Sequence, residues 1–270
     1  YGIAAVFREI PAKIATCTEL GMPSVVSKLA TLPRGLVLVT GPTGSGKSTT
    51  LAAIIDEANR LRRDHIITIE DPIEFVHRSQ NCIVNHREVG IHTKSFSAAL
   101  RGALREDPDI IMVGEMRDLE TTALAIEAAS TGHLVLATVH TTSAVKTVDR
   151  VVEIFPESEQ LQIRSTLADG LRAVISQVIF KRSDIKARCV ALEILVATPA
   201  VRNLIREQKT YQIPSMIQAG KKYGMQLLDD SIMELHNRGW ISAEDAYVKS
   251  NEKGRFRPLL KYQPTDFTEA

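Results

Sequence analysis

The stretch GLVLVTGPTGSGKSTTLAAII, residues 35–55, decides the fold of this chain. Its first six residues form a continuous apolar run, which is typical of a strand buried on both faces of a sheet. From Ser48 onward the pattern is that of a helix. Between them, residues 41–48 match G-x-x-x-x-G-K-[ST] at every fixed position. A strand, a glycine-rich turn and a helix in this order predict a phosphate-binding loop in an α/β domain.

Each residue type in this loop has a chemical reason. Glycines let backbone N–H groups turn toward phosphate oxygens, and the following helix directs the positive end of its dipole at the same anion. Lys47 reaches the β- and γ-phosphates, and the Ser48 hydroxyl is a ligand for Mg²⁺. The predicted nucleotide-binding residues are Gly41, Pro42, Thr43, Gly44, Ser45, Gly46, Lys47, Ser48 and Thr49.

The pattern around the loop repeats strand and helix. Further buried-strand candidates lie at 65–70, 109–115 and 133–140, with helical segments at 95–106 and 119–130 between them. This alternation predicts a mostly parallel, doubly wound sheet. The predicted domains are a core at 1–197, which includes a lead-in strand and a short helix within 1–34, a helical part at 198–250 and an extended tail at 251–270. In the helical part, the predicted helices are 199–207, 214–222, 225–238 and 242–250.

Composition and charge exclude several classes of protein. The chain has 33 basic and 32 acidic residues and a net charge of +1, so a global basic footprint for nucleic acid is absent. Cys17, Cys82 and Cys189 lie far apart and form no CxxC pair, which argues against a zinc site and fits a reducing cytoplasm. No apolar run reaches the roughly 18 residues that a transmembrane helix needs.

Two groups of carboxylates follow predicted strands. Glu115 ends the strand at 109–115, at the edge of a parallel sheet where ligands bind. Gly114 stands where many P-loop proteins have an Asp that helps to hold Mg²⁺. The segment Glu70-Asp71-Pro72-Ile73-Glu74 places three acids within five residues, which would repel one another without a nearby cation. Taken alone, Glu115 could be a helix cap, and the acidic segment could be a solvated turn.

Two histidines bound the strand at 133–140. His133 and His140 are seven residues apart, or about 23 Å in an extended strand, so they cannot share one metal or one phosphate. His140, at the carboxyl end, is placed to sense the γ-phosphate. His133 would then act elsewhere, at a subunit boundary or in packing.

Four sequence blocks together resemble the type II/IV secretion and pilus motor ATPases. In that family GPTGSGKSTT is the Walker A motif, IEDPIEF the acidic Asp box, REDPDIIMVGEMRDLET an atypical Walker B motif and TGHLVLATVHTT the His box. The glycine before Glu115 is the family's own pattern. The likeness covers nearly all of residues 1–250 and is closest in the branch that retracts type IV pili, because AVRNLIRE at 200–207 is similar to that branch's AIRNLIRE motif.

The resemblance implies a RecA-like fold and roles for individual residues. Glu115 would position the attacking water, Glu74 would assist at the metal or the water, and both would contact Mg²⁺ through water. His133 and His140 are the two His-box positions. The family forms homohexamers with ATP bound at subunit interfaces. It also has an upstream PAS-like domain that contributes arginines, of which residues 1–34 would be a remnant.

The 200–207 segment also has an interpretation from its own pattern. Val201, Leu204 and Ile205 form one apolar stripe of a helix. The remaining positions would face outward, on an ordinary surface helix or on a face that transmits force or docks a partner. The predicted outward residues are Arg202, Asn203, Arg206 and Glu207.

The leading functional hypothesis is a cytoplasmic ATP-driven ring motor that retracts pili in twitching motility. It would act at the pilus base, at the inner membrane, on a platform protein and without direct contact with nucleic acid. An alternative is a pilus-assembly or type II secretion ATPase of the same superfamily. Alternatives of another class are a nucleic-acid motor and a nucleotide switch that does not hydrolyse ATP.

Overall fold

A computed structural model describes residues 2, 5, 10, 11 and 13–261. In the described part, the strands are β1 (Gly35–Thr40), β2 (His65–Glu70), β3 (Ile83–Glu88), β4 (Ile110–Val113), β5 (Leu134–Val139), β6 (Leu171–Lys181) and β7 (Arg188–Val196). The helices are α1 (Ser24–Leu29), α2 (Lys47–Leu61), α3 (Phe96–Ala103), α4 (Leu119–Thr131), α5 (Ala144–Glu153), α6 (Glu157–Gly170), α7 (Pro199–Arg206), α8 (Ile213–Ala219), α9 (Leu228–Asn237), α10 (Ala243–Lys249) and α11 (Lys253–Phe256). Short 3₁₀ turns are at Thr210–Gln212, Lys221–Tyr223 and Arg257–Leu259.

The strands form one seven-stranded sheet in the order β3-β2-β4-β5-β1-β6-β7. All neighbouring pairs are parallel except β6 and β7, which form an antiparallel hairpin at one edge. β1 lies between β5 and β6, and it is buried along its whole length. This arrangement confirms the predicted mostly parallel α/β sheet.

Apolar side chains cover both faces of the sheet. One cluster joins the sheet to α3, α4, α5, α6, α7 and α8, and a second joins the opposite face to α1 and α2. A third, smaller cluster packs α9, α10 and α11 against Phe180 and Ala191 on the β6–β7 hairpin. The helices after β7 therefore pack in two places, α7 and α8 on the main core and the last three helices on the hairpin.

The structure differs from the sequence predictions at several elements. β3 is an additional edge strand, and its side chains are only partly buried because helices do not cover it as they cover β1. The predicted extended tail is helical at Lys253–Phe256 and in the turn that follows, because buried Phe256 fixes it to the third cluster. Residues 262–270 lie outside the described residues, as does most of the predicted lead-in strand.

Other predictions for the ends of the core are confirmed. The short helix expected before residue 34 is α1, and the four helices expected after residue 198 are α7 to α10. The proposed boundary at 197/198 stays a prediction. No helix in the described part of the chain is long and apolar enough to cross a membrane.

Candidate functional site

A cavity of about 560 Å³ opens at the carboxyl edge of the sheet, where β1, β5, β4 and β2 end side by side. The segment that follows each strand contributes part of the wall. The lining includes Thr43, Gly44, Gly46, Lys47, Ser48 and Thr49 after β1, Glu70, Asp71, Glu74, Phe75 and His77 from the end of β2 onward, Gly114, Glu115 and Arg117 after β4, and Thr138 and His140 from β5.

The loop between β1 and α2 has the geometry of a phosphate cradle. Gly44 and Gly46 have φ angles of +77° and +84°, and a side chain at either position would be strained. Lys47 is buried, and its Nζ donates to the carbonyls of Gly41 at 3.0 Å and Pro42 at 3.2 Å. Burial lowers the pKa of Lys47, although Glu115 and Glu74 partly offset this effect. The Lys47 amine is therefore hydrogen-bonded to carbonyls of the loop itself, and it lines the cavity in which an anion would bind.

Gln177 on β6 supports this loop from below. Its Nε2 donates to the Ser45 carbonyl, and its Oε1 accepts a hydrogen bond of 2.8 Å from the Thr50 hydroxyl on α2. The side chain is 2% exposed. A Cβ at Gly41 would lie 2.4 Å from the Gln177 carbonyl, so only glycine fits there. Gln177 was not predicted as a site residue, although it is a polar residue within the apolar run of β6.

Glu115 is held by two cationic or potentially cationic neighbours. Its Oε2 lies 2.6 Å from Arg117 Nη2, and its Oε1 lies 3.1 Å from His140 Nε2. Burial raises the pKa of Glu115, but Arg117 and His140 outweigh that effect and hold the pKa below its usual value. The carboxylate is thus ionised and fixed at the cavity wall. Arg117, two residues after Glu115 in the same loop, was not singled out from the sequence.

Gly114, which stands where many P-loop proteins have an Asp, is closely packed. A Cβ at this position would lie 3.1 Å from the Ile69 carbonyl of β2. The Gly114 N–H donates to that same carbonyl at 2.8 Å, and the Gly114 carbonyl accepts from the Thr138 hydroxyl. The backbone is therefore clamped between β2 and β5, with little space for a side chain.

The acidic segment at residues 70–74 is only partly exposed to solvent, so it is not simply a solvated turn. Glu70 is 6% exposed, and its Oε2 accepts a hydrogen bond of 3.2 Å from the Glu74 N–H. Its Oε1 lies 3.8 Å from His86 Nδ1 and has no hydrogen-bond partner among the described residues. Asp71 is exposed, and the Asp71–Pro72 peptide bond is cis. Glu70 and Glu74 thus face the cavity as two carboxylates held by one turn.

Two further histidines lie behind this turn. His77 and His86 stack with ring centroids 5.9 Å apart. Burial lowers the pKa of His77 to about 4, while the contact with Glu70 raises the pKa of His86. His77 lines the cavity, and its Nδ1 is buried without a hydrogen-bond partner in the described part of the chain. The sequence alone gave no supporting context for either residue.

The two predicted His-box residues lie at opposite ends of β5. His140 lines the cavity and contacts Glu115. His133 precedes β5 at the other edge of the sheet, and its Nδ1 lies 3.1 Å from the Ala128 carbonyl. Among the residues described, the structure brings together the loop, Glu74, Glu115 and His140, but not His133. A role for His133 at a subunit boundary stays a prediction.

The donors around the cavity fit a magnesium nucleotide. Ser48 and the carboxylates of Glu70, Glu74 and Glu115 offer the oxygen ligands that Mg²⁺ prefers. Nothing lies within 4 Å of where a Cβ at Gly44 would point, so the cradle is open there. The three cysteines lie elsewhere, and burial raises the pKa of each thiol, which fits a structural role.

Comparison with known proteins gives consistent matches. A family model described as "Type II/IV secretion system protein" matches residues 12–248. The chain is 58% identical over 249 residues to the type IV pilus retraction ATPase PilT of Pseudomonas aeruginosa, covering 92% of this chain and 72% of the relative. It is 56% identical over 245 residues to a twitching motility protein of Neisseria gonorrhoeae, covering 91% of this chain and 66% of the relative.

Solved structures agree. The crystal structure of the pilus retraction motor PilT with bound ADP matches with a TM-score of 0.87 and 48% identity, covering 92% of this chain and 70% of that chain. The ATPase DotB of Legionella pneumophila matches with a TM-score of 0.81 and 32% identity, covering 89% of this chain and 66% of that chain. These likenesses confirm the predicted RecA-like core.

Proposed function

Because this chain belongs to the type II/IV secretion system protein family, we propose that it hydrolyses ATP as one subunit of a hexameric motor that retracts type IV pili. The observation that supports this best is the position of Glu115. An ionised carboxylate, fixed by Arg117 and His140, faces the same cavity as a complete phosphate loop.

The phosphate loop binds the nucleotide. Backbone N–H groups of residues 43–48 surround the phosphates, and Lys47 exchanges its contacts with the loop carbonyls for contacts with phosphate oxygens. Burial lowers the pKa of Lys47, and an anion beside the amine favours its charged form. ADP in the related PilT structure supports this assignment.

The metal would be held by oxygen ligands of this chain. Ser48 would bind Mg²⁺ directly, and Glu74 and Glu115 would contact it through water. When bound, Mg²⁺ neutralises negative charge on the phosphate oxygens. Glu70 supports Glu74 by accepting a hydrogen bond from its backbone N–H.

Glu115 positions the water that attacks the γ-phosphate. An ionised carboxylate accepts a hydrogen bond from water and orients a lone pair toward phosphorus. His140 holds one oxygen of Glu115 and lies at the cavity wall, where it senses the γ-phosphate. Arg117 holds the other oxygen and keeps the carboxylate charged.

The remaining features of the motor come from the family. We propose a homohexamer with nucleotide at the subunit interfaces, where arginines of an upstream PAS-like domain complete each site. In this proposal the ring acts in the cytoplasm, at the pilus base, on an inner-membrane platform protein. His133 lies at a sheet edge away from the cavity, with its ring against the Ala128 carbonyl, so packing is the role that we propose for it.

The retraction function is favoured over the assembly function, because a retraction ATPase aligns with a larger part of this chain than an assembly ATPase does. The retraction relative matches 92% of this chain, whereas the pilus assembly ATPase PilB of Myxococcus xanthus matches 45% of it at 51% identity. The three cysteines, Cys17, Cys82 and Cys189, are far apart in the sequence, which argues against the tetracysteine site of many assembly ATPases. The protein can be expressed in a strain that lacks its own retraction ATPase. If pili do not shorten there, the result would favour the assembly function.

The first experiment measures Mg²⁺-dependent ATPase activity and oligomer mass on the full-length protein. We expect the wild type to hydrolyse ATP as a hexamer. Glu115→Gln should assemble and bind ATP but lose about 10²- to 10⁴-fold in kcat, as expected for loss of a catalytic carboxylate. Glu127→Gln, at an exposed position on α4, is the matched control and should behave as wild type.

Either of two results would contradict the proposal. Full activity of Glu115→Gln would remove Glu115 from the mechanism. Binding of ATP without turnover by the wild type would instead favour a nucleotide switch.

A further inference from the structure

Three arginines lie at the sheet edge opposite the nucleotide cavity. Arg34 directly precedes β1, and Arg172 is the second residue of β6, the parallel neighbour of β1. β7 is antiparallel to β6, so its carboxyl end reaches this same edge, where α7 begins and carries Arg202. The topology of three adjacent strands therefore brings these residues together.

Arg172 is fixed in place by the backbone around it. Its Nη1 donates to the carbonyls of Asp169 at 2.7 Å, Gly170 at 3.2 Å and Leu171 at 3.2 Å, so the guanidinium closes the carboxyl end of α6. The side chain also lies against Gly35, where an added Cβ would be 2.5 Å from Arg172 Cγ. This guanidinium is held rigidly at the surface.

Arg202 and Arg34 leave hydrogen-bonding capacity unused. Arg202 was predicted to face outward, but the structure half-buries it, because the first turn of α7 packs down onto the sheet edge. Its Nε is buried and has no hydrogen-bond partner in the described part of the chain. Arg34 is exposed, and none of the described residues forms an ion pair with it.

The cluster lacks a counterion of its own. Asp169 is the acidic neighbour that acts on Arg172, and it forms an ion pair with Arg206. The pKa of Arg172 lies below its usual value because of burial and then because of the charges of Arg202 and Arg34. Three cations are thus concentrated in a chain whose net charge is only +1.

We propose that Arg34, Arg172 and Arg202 form a docking site for an acidic segment of a partner protein. Guanidinium groups bind carboxylates through paired hydrogen bonds, and the Nε of half-buried Arg202 has no partner among the described residues. The cluster opens on the surface, since Arg34 is exposed, so it suits a chain of carboxylates. The site is separate from the nucleotide cavity, and binding there does not depend on ATP hydrolysis.

The test measures binding of a fluorescent oligoglutamate peptide to the full-length protein by anisotropy at low and high salt. We expect salt-dependent binding. Arg34→Ala and Arg202→Ala should each weaken it about threefold to fivefold, the upper part of the range for an accessible ion pair, and the double variant should lose most of it. Arg172 is left unchanged because it also closes α6.

Arg188→Ala is the matched control, because Arg188 is exposed, belongs to the hairpin at the other end of β6 and forms no ion pair with the described residues. Its affinity for the peptide should stay within about twofold of wild type. Equal weakening by Arg188→Ala, or unchanged binding by the double variant, would overturn the proposal. So would inorganic phosphate or phosphatidylserine vesicles that compete as well as the peptide, since the site would then be a general anion or lipid site.

A second measurement separates this inference from the motor function. The double variant should keep wild-type ATPase activity and hexamer mass but lose pilus shortening in cells. An inactive wild type would contradict the motor while leaving the peptide result intact. A double variant that retracts pili normally would overturn the docking role.

Discussion

Gly114 shows how one missing side chain shapes the site. Its Cβ would press on the Ile69 carbonyl, and a backbone atom in the middle of a sheet cannot easily give way. We expect Gly114→Ala to destabilise the protein by about 1 to 3 kcal/mol, the usual cost of overpacking. Chemical denaturation measures this change.

The matched substitution for this test is Gly102→Ala. Gly102 lies in α3 with nothing within 4 Å of where its Cβ would point. Alanine there should stabilise the protein by about 0.5 to 1 kcal/mol, because it lowers the entropy lost on helix formation. Equal effects of the two substitutions would contradict the crowding at Gly114.

Gln177 joins β6 to the phosphate loop through two hydrogen bonds. Gln177→Ala leaves the buried Thr50 hydroxyl and Ser45 carbonyl without these partners. We expect a loss of about 1 to 3 kcal/mol in stability, the cost of unsatisfied buried groups, together with weaker nucleotide binding. Denaturation and titration with a fluorescent ADP analogue check both effects. Gln162→Ala, at an exposed site on α6, should change neither.

At the scale of elements, the start of α4 positions the loop that carries Glu115 and Arg117. Asp118 caps this helix, accepting from the Thr121 N–H at 2.8 Å and from its hydroxyl at 2.9 Å. We expect Asp118→Ala to cost about 0.5 to 2 kcal/mol and to lower kcat, and Asp118→Asn to restore most of the stability. Thermal unfolding and ATPase assays of both variants test this. A loss of stability in Asp118→Asn equal to that in Asp118→Ala would rule out the cap.

The predictability of the elements depended on burial. β1 and β5 are buried on both faces, so their continuous apolar runs identified them. β3 reads IVNHRE at a sheet edge, and no periodic signal separates such a strand from a loop. The tail was predicted as extended because of its prolines, yet Phe256 packs into a distant cluster and the segment Lys253–Phe256 is helical. Such a contact is set by tertiary structure, which a local pattern does not contain.

The residues of the nucleotide site were predictable from the sequence where they lie together in one short segment. The motif at residues 41–48 predicted the phosphate loop directly. Because ligands bind at the carboxyl ends of parallel strands, Glu74, Glu115 and His140 could be predicted to lie at the same edge of the sheet. The ion pair between Arg117 and Glu115 depends on side-chain rotamers. The support from Gln177 depends on β6 lying next to β1, more than a hundred residues away in sequence.

At the scale of the whole molecule, buried His77 makes stability depend on pH. Its pKa is about 4 in the folded protein and about 6.5 when unfolded, so between these values only the unfolded chain takes up the proton. The stability that comes from burying neutral His77 is therefore fully present above about pH 6.5 and is lost as the pH falls toward 4. His86 acts in the opposite sense, because Glu70 raises its pKa and favours the protonated folded form at low pH.

We expect His77→Asn to flatten the acid side of the stability profile. The fall in unfolding free energy between neutral pH and about pH 4.5 should be smaller than in wild type by roughly 2 to 3 kcal/mol. Denaturant titrations across this range measure it, with His92→Asn, at an exposed histidine, as the control. Parallel profiles for wild type and His77→Asn would contradict a neutral buried His77.

The antiparallel turn between β6 and β7 has a consequence for how such a protein can diversify. By reversing the chain once, it delivers α7 to the end of the sheet that lies away from the phosphate loop. Substitutions on α7 therefore alter one end of the molecule while the chemistry at the other end is inherited unchanged. A change of partner at the docking site that we propose there therefore requires no change in the nucleotide cavity.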